Sequence, residues 1–354
     1  MDTDPKISLR SPIDLAAAIP YLFGFHPVDS VVVLGLRAAT VVFQARVDLP
    51  EPGDVVPHAR RLATIVARQR VTRALVTGYG TEEAVAASLR TIRTELLRRR
   101  IDVPEVLRIA DGRYFSYTCR EPSCCDPAGT PFDPTVTAVA ATATVAGLTA
   151  AGSREEIRDR IEPVRGAAAV AATRAAALRA DMRLCALLAS PDGRPDREVL
   201  VGAGTAAVDA AILSWSSGGG LDDDQVAWLG LLLVNTAVRD HAWERAGRDH
   251  ALHADLWTEV VRRVEPDLAA APATLLAYAA WRDGGGAMVS MALERALRAD
   301  PAYPMAHYLL TAVEQGMSPE EYARLAAEDD SPPPASTRPR ARRFTRRAPA
   351  RRLA

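Results

Sequence analysis

The chain has 354 residues, 48% of them apolar and 25% charged, with a formal net charge of −1. That length and apolar content support two cores of ordinary size in a soluble globular protein and exclude steering of a partner by overall charge. The charge is unevenly placed: eight arginines and no acidic residue follow Asp330, so the tail carries about +8 and the rest of the chain about −9.

Lys6 is the single lysine, against 42 arginines. With abundant alanine, this skew reads as coding in a GC-rich genome. It weakens any argument that a given arginine was chosen for bidentate chemistry. The opening MDTDPKISLRSP is acidic and polar, unlike a secretory signal. No run of about 20 strongly apolar residues is evident; Val226–Val238 is too short and contains Asn235 and Thr236. The expectation is a cytoplasmic protein with reduced thiols and no membrane segment.

Ser11 as N-cap, Pro12 at the first helical position and Asp14 near the positive end predict a short helix that stops by Pro20. An aromatic turn, Tyr21 to Pro27, follows. Ser30 to Leu36 is a Val/Leu run, as expected for a strand covered on both faces. Val41 to Leu49 alternates and predicts a half-exposed hairpin partner. Leu62, Ile65 and Val66 give a helical stripe, and Ala74 to Thr77 a short buried strand. Val85, Leu89, Ile92 and Leu96 make Glu82 to Arg99 an amphipathic helix. Val106 to Ala110 and Tyr114 to Thr118 are strands joined by the turn pair Asp111-Gly112.

Strands alternating with helices predict an α/β domain over residues 1–135, with a mixed, mostly parallel sheet and covering helices. Beyond Val136 no strand is predicted, so residues 136–330 read as an all-α helical domain. Ser153-Arg-Glu-Glu156 and Ser318-Pro-Glu-Glu321 are capping-box patterns. Trp215, Trp228, Trp243, Trp257 and Trp281 all fall here and are expected core anchors. Ala277, Ala280, Gly284, Leu293, Ala296 and Pro301 are spaced like a tetratricopeptide helix hairpin. Residues 331–354, rich in Pro and Arg, are expected to be disordered.

Chemistry-bearing residues concentrate in Gly112 to Pro134, GRYFSYTCREPSCCDPAGTPFDP, which holds Cys119, Cys124 and Cys125. The Cys-x4-Cys-Cys spacing departs from the Cys-x2-Cys of structural zinc sites. The three cysteines are nevertheless candidate metal ligands, zinc first, or reactive thiols, or small packing residues of a proline-braced loop. His26 and Asp29 precede a buried strand and form a candidate acid–base or ligand pair with Cys125, or a hydrogen-bonded turn. Thr77-Gly-Tyr-Gly-Thr81 lies where phosphate loops sit, but Glu82 and Glu83 follow it and repel an anion. His250 and His253 share a helix side between Asp249 and Asp255. The arginines of residues 338–352 offer phosphate contacts to an acidic partner or nucleic acid, with Phe344 the only aromatic among them. No G-x-S-x-G, H-E-x-x-H, Walker or full Rossmann pattern occurs.

The opening KISLRSPIDLAAAIPYLFGFHPVDSVVVLGL, the cysteine segment and LLAYAAWRDGGGAMVSMALERALRADP together resemble the actinobacterial family called domain of unknown function 4192. The resemblance runs to about residue 330 and leaves the Arg-rich tail outside. It implies a high-GC Gram-positive source and a cytoplasmic protein, and it brings no activity and no catalytic residues. No complete catalytic constellation is present, so a non-catalytic ligand- or partner-binding protein is the leading expectation. An enzyme, metal or thiol site using Cys119, Cys124 or Cys125 with His26 and Asp29 is the alternative.

Overall fold

The computed structural model describes residues 9–119, 121, 125–189, 197–246 and 249–329. Helix α1 (Pro12–Phe23) starts as expected: Asp14 N donates to Ser11 Oγ at 3.2 Å, and Arg10 N donates to the Asp14 carboxylate at 2.9 Å. It does not stop at Pro20. The ring is buried within the helix, which runs on to Phe23 and ends where Gly24 turns left-handed at φ +77°. Proline removes one helical hydrogen bond; burial of Leu15 to Ile19 against the sheet holds the segment helical regardless.

The sheet contains β1 (Ser30–Arg37), β2 (Thr40–Asp48), β3 (Arg73–Tyr79), β4 (Asp102–Ala110), β5 (Arg113–Ser116) and the short β6 (Thr130–Pro131), in the spatial order β2-β1-β3-β4-β5-β6. It is mixed but mostly antiparallel, not mostly parallel: only β3 and β4 run in the same direction as neighbours. The reason lies in one insertion. Helix α2 (Val55–Arg68) does connect two co-directional strands, β2 and β3, but β1 sits between them and opposes both. The unbroken Val run of β1 reflects covering helices on both faces, a condition that parallel sheets share but do not own. On one face α2 and α3 (Glu82–Arg98) pack Leu62, Val66, Leu89 and Ile92 over Val31, Val33 and Val76. On the other, Leu15 and Ile19 of α1 cover Val32, Leu34 and Leu107. Buried Glu95 ties α3 to α2: it accepts from Arg98 and Arg99, both at 2.7 Å, and Arg99 Nη2 donates to Thr64 Oγ1 at 3.1 Å.

After β6 every described element is helical. These are α4 (Ala138–Val145), α5 (Arg154–Asp159), α6 (Ala167–Leu188), α7 (Arg197–Ser216), α8 (Asp223–Leu232), α9 (Thr236–Arg245), α10 (His250–Arg263), α11 (Ala270–Arg282), α12 (Gly286–Ala299), α13 (Pro304–Glu314) and α14 (Pro319–Asp329). Ser153 and Ser318 cap their helices as predicted, through Glu156 N at 3.3 Å and Glu321 N at 3.1 Å. The expected hairpin is α11 and α12, and α11 is buried from Ala270 to Ala280. Of the five tryptophans only Trp228 and Trp257 are buried; Trp215, Trp243 and Trp281 are half-exposed, Trp243 stacking on Tyr278 at 3.7 Å. Helix α7 is long and apolar enough to cross a membrane by length and composition, with a mean hydropathy of 1.5. The sequence reading missed it because Ala and Gly dilute its larger residues. Here it packs through Gly204, Val208 and Ala211, and its Asp209 pairs with His241 and Arg245, both at 3.0 Å.

Residues up to Gly316 form one compact unit and those from Met317 a second, to which α14 belongs. Within the first unit the end of α13 returns to the sheet. Gly316 is left-handed at φ +69°, and a Cβ there would collide with Ile65 of α2 and meet Phe43 of β2. Gln69 Nε2 donates to the Gly316 carbonyl at 2.6 Å, and Arg61 pairs with Glu314 at 3.0 Å. Gly316→Val therefore combines a disfavoured backbone with a steric clash. It should cost about 1–3 kcal/mol, seen in urea denaturation as a lower midpoint at unchanged slope.

Candidate functional site

Where α13 meets α2 and β2, the closure leaves a cleft of about 510 Å³. Its sheet side carries Phe23 at the end of α1, Phe25, and Phe43, Ala45 and Val47 of the edge strand β2. Its helical side carries Leu293 and Leu297 of α12 with Leu310 and Val313 of α13. Concave, mainly apolar surfaces with a few converging polar groups are the usual seat of small ligands. The polar groups here are Arg46, Arg61 and Arg154, with Gln44, His58 and Ser290, against Glu294 and Glu314.

The two carboxylates are already committed. Glu314 holds Arg61; Glu294 holds Arg154 at 2.8 Å and Arg158 at 3.7 Å. Arg46 differs. Its Nη1 meets Asp48 at 2.7 Å, its Nη2 donates to the Val28 carbonyl at 3.3 Å, and its carbon stands 5.8 Å over the Phe25 ring. Its Nε is buried and has no partner in the described protein. A buried donor left unmade costs about 1–3 kcal/mol, and that donor belongs to a cation lining an apolar cleft. Just outside, Arg60, Arg61 and Arg68 of α2 line a shallower concavity with Glu314, so the α2 flank is basic.

The residues singled out from sequence do not line this cleft, and register separates Asp29 from Cys119. Ser30 pairs with Tyr79, Tyr79 with Ile109, and Ile109 with Tyr114. Asp29 is thus level with Tyr114, whereas Cys119 lies past the opposite end of β5. Three strand spacings, about 14 Å, add to that separation. His26 N donates to the Ala151 carbonyl at 3.2 Å, and Ala151 N to that of Gly24 at 2.7 Å, a backbone clasp. Asp29 is exposed at φ +41°. The cysteine loop starts from a clamp in which Glu105 accepts from Ser116 Oγ at 2.8 Å and Thr118 Oγ1 at 2.6 Å. Cys119 N then donates to Ser116 Oγ at 3.0 Å. Cys125 is buried, its N donating to the Glu121 carbonyl at 2.9 Å. Cys124 and the arginines of 338–352 lie outside the described residues. Among the described residues no group of three His, Cys, Asp or Glu side chains is placed to hold a metal.

The turn before α3 fills its own anion position. Glu82 pairs with Arg108 at 3.1 Å and accepts from the Tyr117 hydroxyl. Burial and Glu82 push that phenol up to about 12. Glu83 sits below the ordinary carboxylate range because it accepts from its own backbone N–H and from Thr81. The His250 ring is fully engaged: Nε2 accepts from Arg282 Nε at 3.2 Å, so Nδ1 carries the proton donated to the Ala246 carbonyl at 2.9 Å.

The cleft residues were not singled out from sequence. Phe43 and Arg61 are some 250 residues from Leu293 and Glu314, and no periodicity links the two stretches. The one local hint was Arg61 and His58 flanking the apolar stripe of α2.

The chain belongs to the family described as Domain of unknown function (DUF4192), whose model matches residues 12–320. No curated protein and no solved structure matches it.

His253 yields a pH prediction. It is 3% exposed, its Nδ1 has no hydrogen-bond partner among the described residues, and burial lowers its pKa below the ordinary value. A depressed histidine binds its proton less readily folded than unfolded. The stability it contributes is therefore full above about 6.5, the unfolded value, and declines as pH falls below it. His253→Met should flatten the fall in melting temperature between pH 7 and pH 5, followed by circular dichroism.

Proposed function

We propose that this DUF4192 member is a non-catalytic binding protein. Its cleft takes a small amphipathic monoanion, with an apolar or aromatic body and a carboxylate or similar head. The body lies among Phe23, Phe43, Leu293 and Leu297, and the head bonds to Arg46. The observation that carries this reading is the pairing of an apolar cleft with the half-buried Arg46, whose Nε has no hydrogen-bond partner among the described residues. Arg61, Arg154 and Arg46 are each paired with a carboxylate, Glu314, Glu294 and Asp48; of the three, Arg46 has the buried Nε without a hydrogen-bond partner among the described residues, and we assign it the head group.

The probes are dodecanoate and 1-anilinonaphthalene-8-sulfonate, followed by calorimetry and fluorescence on the full chain. Saturable one-to-one binding is expected. Leu297→Trp, which fills the cleft, should abolish it. Arg46→Gln should weaken dodecanoate at least tenfold while sparing dodecanol. Binding that survives Leu297→Trp in a folded variant, or no binding of either probe at millimolar concentration, would contradict the reading.

A further inference from the structure

Helix α6 is 22 residues long, yet only Ala176 and Ala180 are buried. Its packing is confined to one side, where Arg179 pairs with Asp224 of α8 through Nε at 2.8 Å and Arg183 lies 4.3 Å over Trp228. The opposite side is not polar. Ala171, Ala175, Leu178, Met182, Cys185 and Ala189 are all exposed, Leu178 at 60% and Met182 at 65%. They recur at four, three, four, three and four residues, the 3.5-residue seam along which one helix packs lengthwise on another. A seam of this kind on the solvent side of a soluble helix marks a missing helical partner.

We propose that the partner is a second copy of this chain, with α6 packed antiparallel on its twin about a two-fold axis at Leu178. Two observations select this occupant and direction. The first is volume. The seam is small at Ala171 and Ala175, large at Leu178 and Met182, and small again at Cys185 and Ala189. Antiparallel pairing sets Ala171 against the twin's Cys185 and Ala175 beside the twin's Met182, so the two inner small residues receive larger ones, while Ala189 meets Ala167 at the ends. Parallel pairing would stack alanine on alanine at one end and methionine on methionine at the other. The second is charge. Arg174 and Asp181 lie seven residues apart on one flank of the seam, both exposed, and neither has an ion-pair partner among the described residues. In the antiparallel register each Arg174 faces the twin's Asp181, giving two symmetric ion pairs. In a parallel pair that flank would face the one bearing Arg179. Two helices of about 33 Å in contact along their length bury on the order of 1,200 Å² in total, enough for a specific interface.

Sedimentation and light scattering of the full chain at micromolar concentration should give twice the 38.0 kDa chain mass. Leu178→Glu, at an exposed position, should yield a monomer with unchanged circular dichroism. Arg174→Asp and Asp181→Arg should each weaken the dimer at least tenfold, and the double swap should restore it. Ala171→Cys should oxidise to a dimer cross-linked between Cys185 and the introduced thiol, while unaltered protein forms no Cys185–Cys185 bond. A monomer at 100 µM, a dimer indifferent to Leu178→Glu, no rescue by the double swap, or a native Cys185–Cys185 cross-link would each overturn the proposal.

Discussion

The seating of the α13 terminus on α2 and the edge strand is the contact on which the candidate site depends. Gly316 presses a bare Cα against Ile65 and Phe43, Gln69 bonds the Gly316 carbonyl, and Arg61 reaches Glu314. The polar parts of this seat are modest. A neutral hydrogen bond contributes about 1 kcal/mol, and an ion pair between half-exposed side chains contributes less. The close approach of apolar groups permitted by Gly316 carries the rest. Without it, the main walls of the cleft, drawn from the first 65 residues and from residues beyond 285, would lose their closest contact.

The charges around the cleft divide by what they do for that spacing. Arg61–Glu314 joins α2 to α13, and Arg154–Glu294 joins the start of α5 to α12. These two pairs position the walls and neutralise each other. Arg46 is held by Asp48 and by the Val28 carbonyl but keeps a buried donor unmatched. An apolar ligand gains nothing from this cation; an anionic head at the exposed part of the guanidinium would add charge-assisted strength. The chemistry expected of the ligand follows from this difference.

Local structure was legible in the sequence where side-chain period and caps acted alone. Ser11 and Ser153 marked true helix starts, and the β1 and β2 segments, with the apolar stripe of α3, lay where their patterns put them. What failed was what neighbours decide. Burial carried α1 through Pro20, and β1 inserted between two strands that α2 connects, making the sheet mostly antiparallel. The candidate sites suffered from the same blindness. Cysteines and histidines announce themselves by rarity, yet register places Asp29 and Cys119 at opposite ends of the sheet. The cleft is built from phenylalanines, leucines and arginines, the last so common here that no single one stood out. Arg46 stands apart from the other cleft arginines only once its unpartnered Nε is known.

The most direct test is hydrogen–deuterium exchange on the full chain with and without saturating dodecanoate. The account predicts added protection in two distant stretches together, residues 43–65 and 286–316, at the same ligand concentration. Protection confined to one of them, or centred instead on the loop from Cys119 to Cys125, would contradict it.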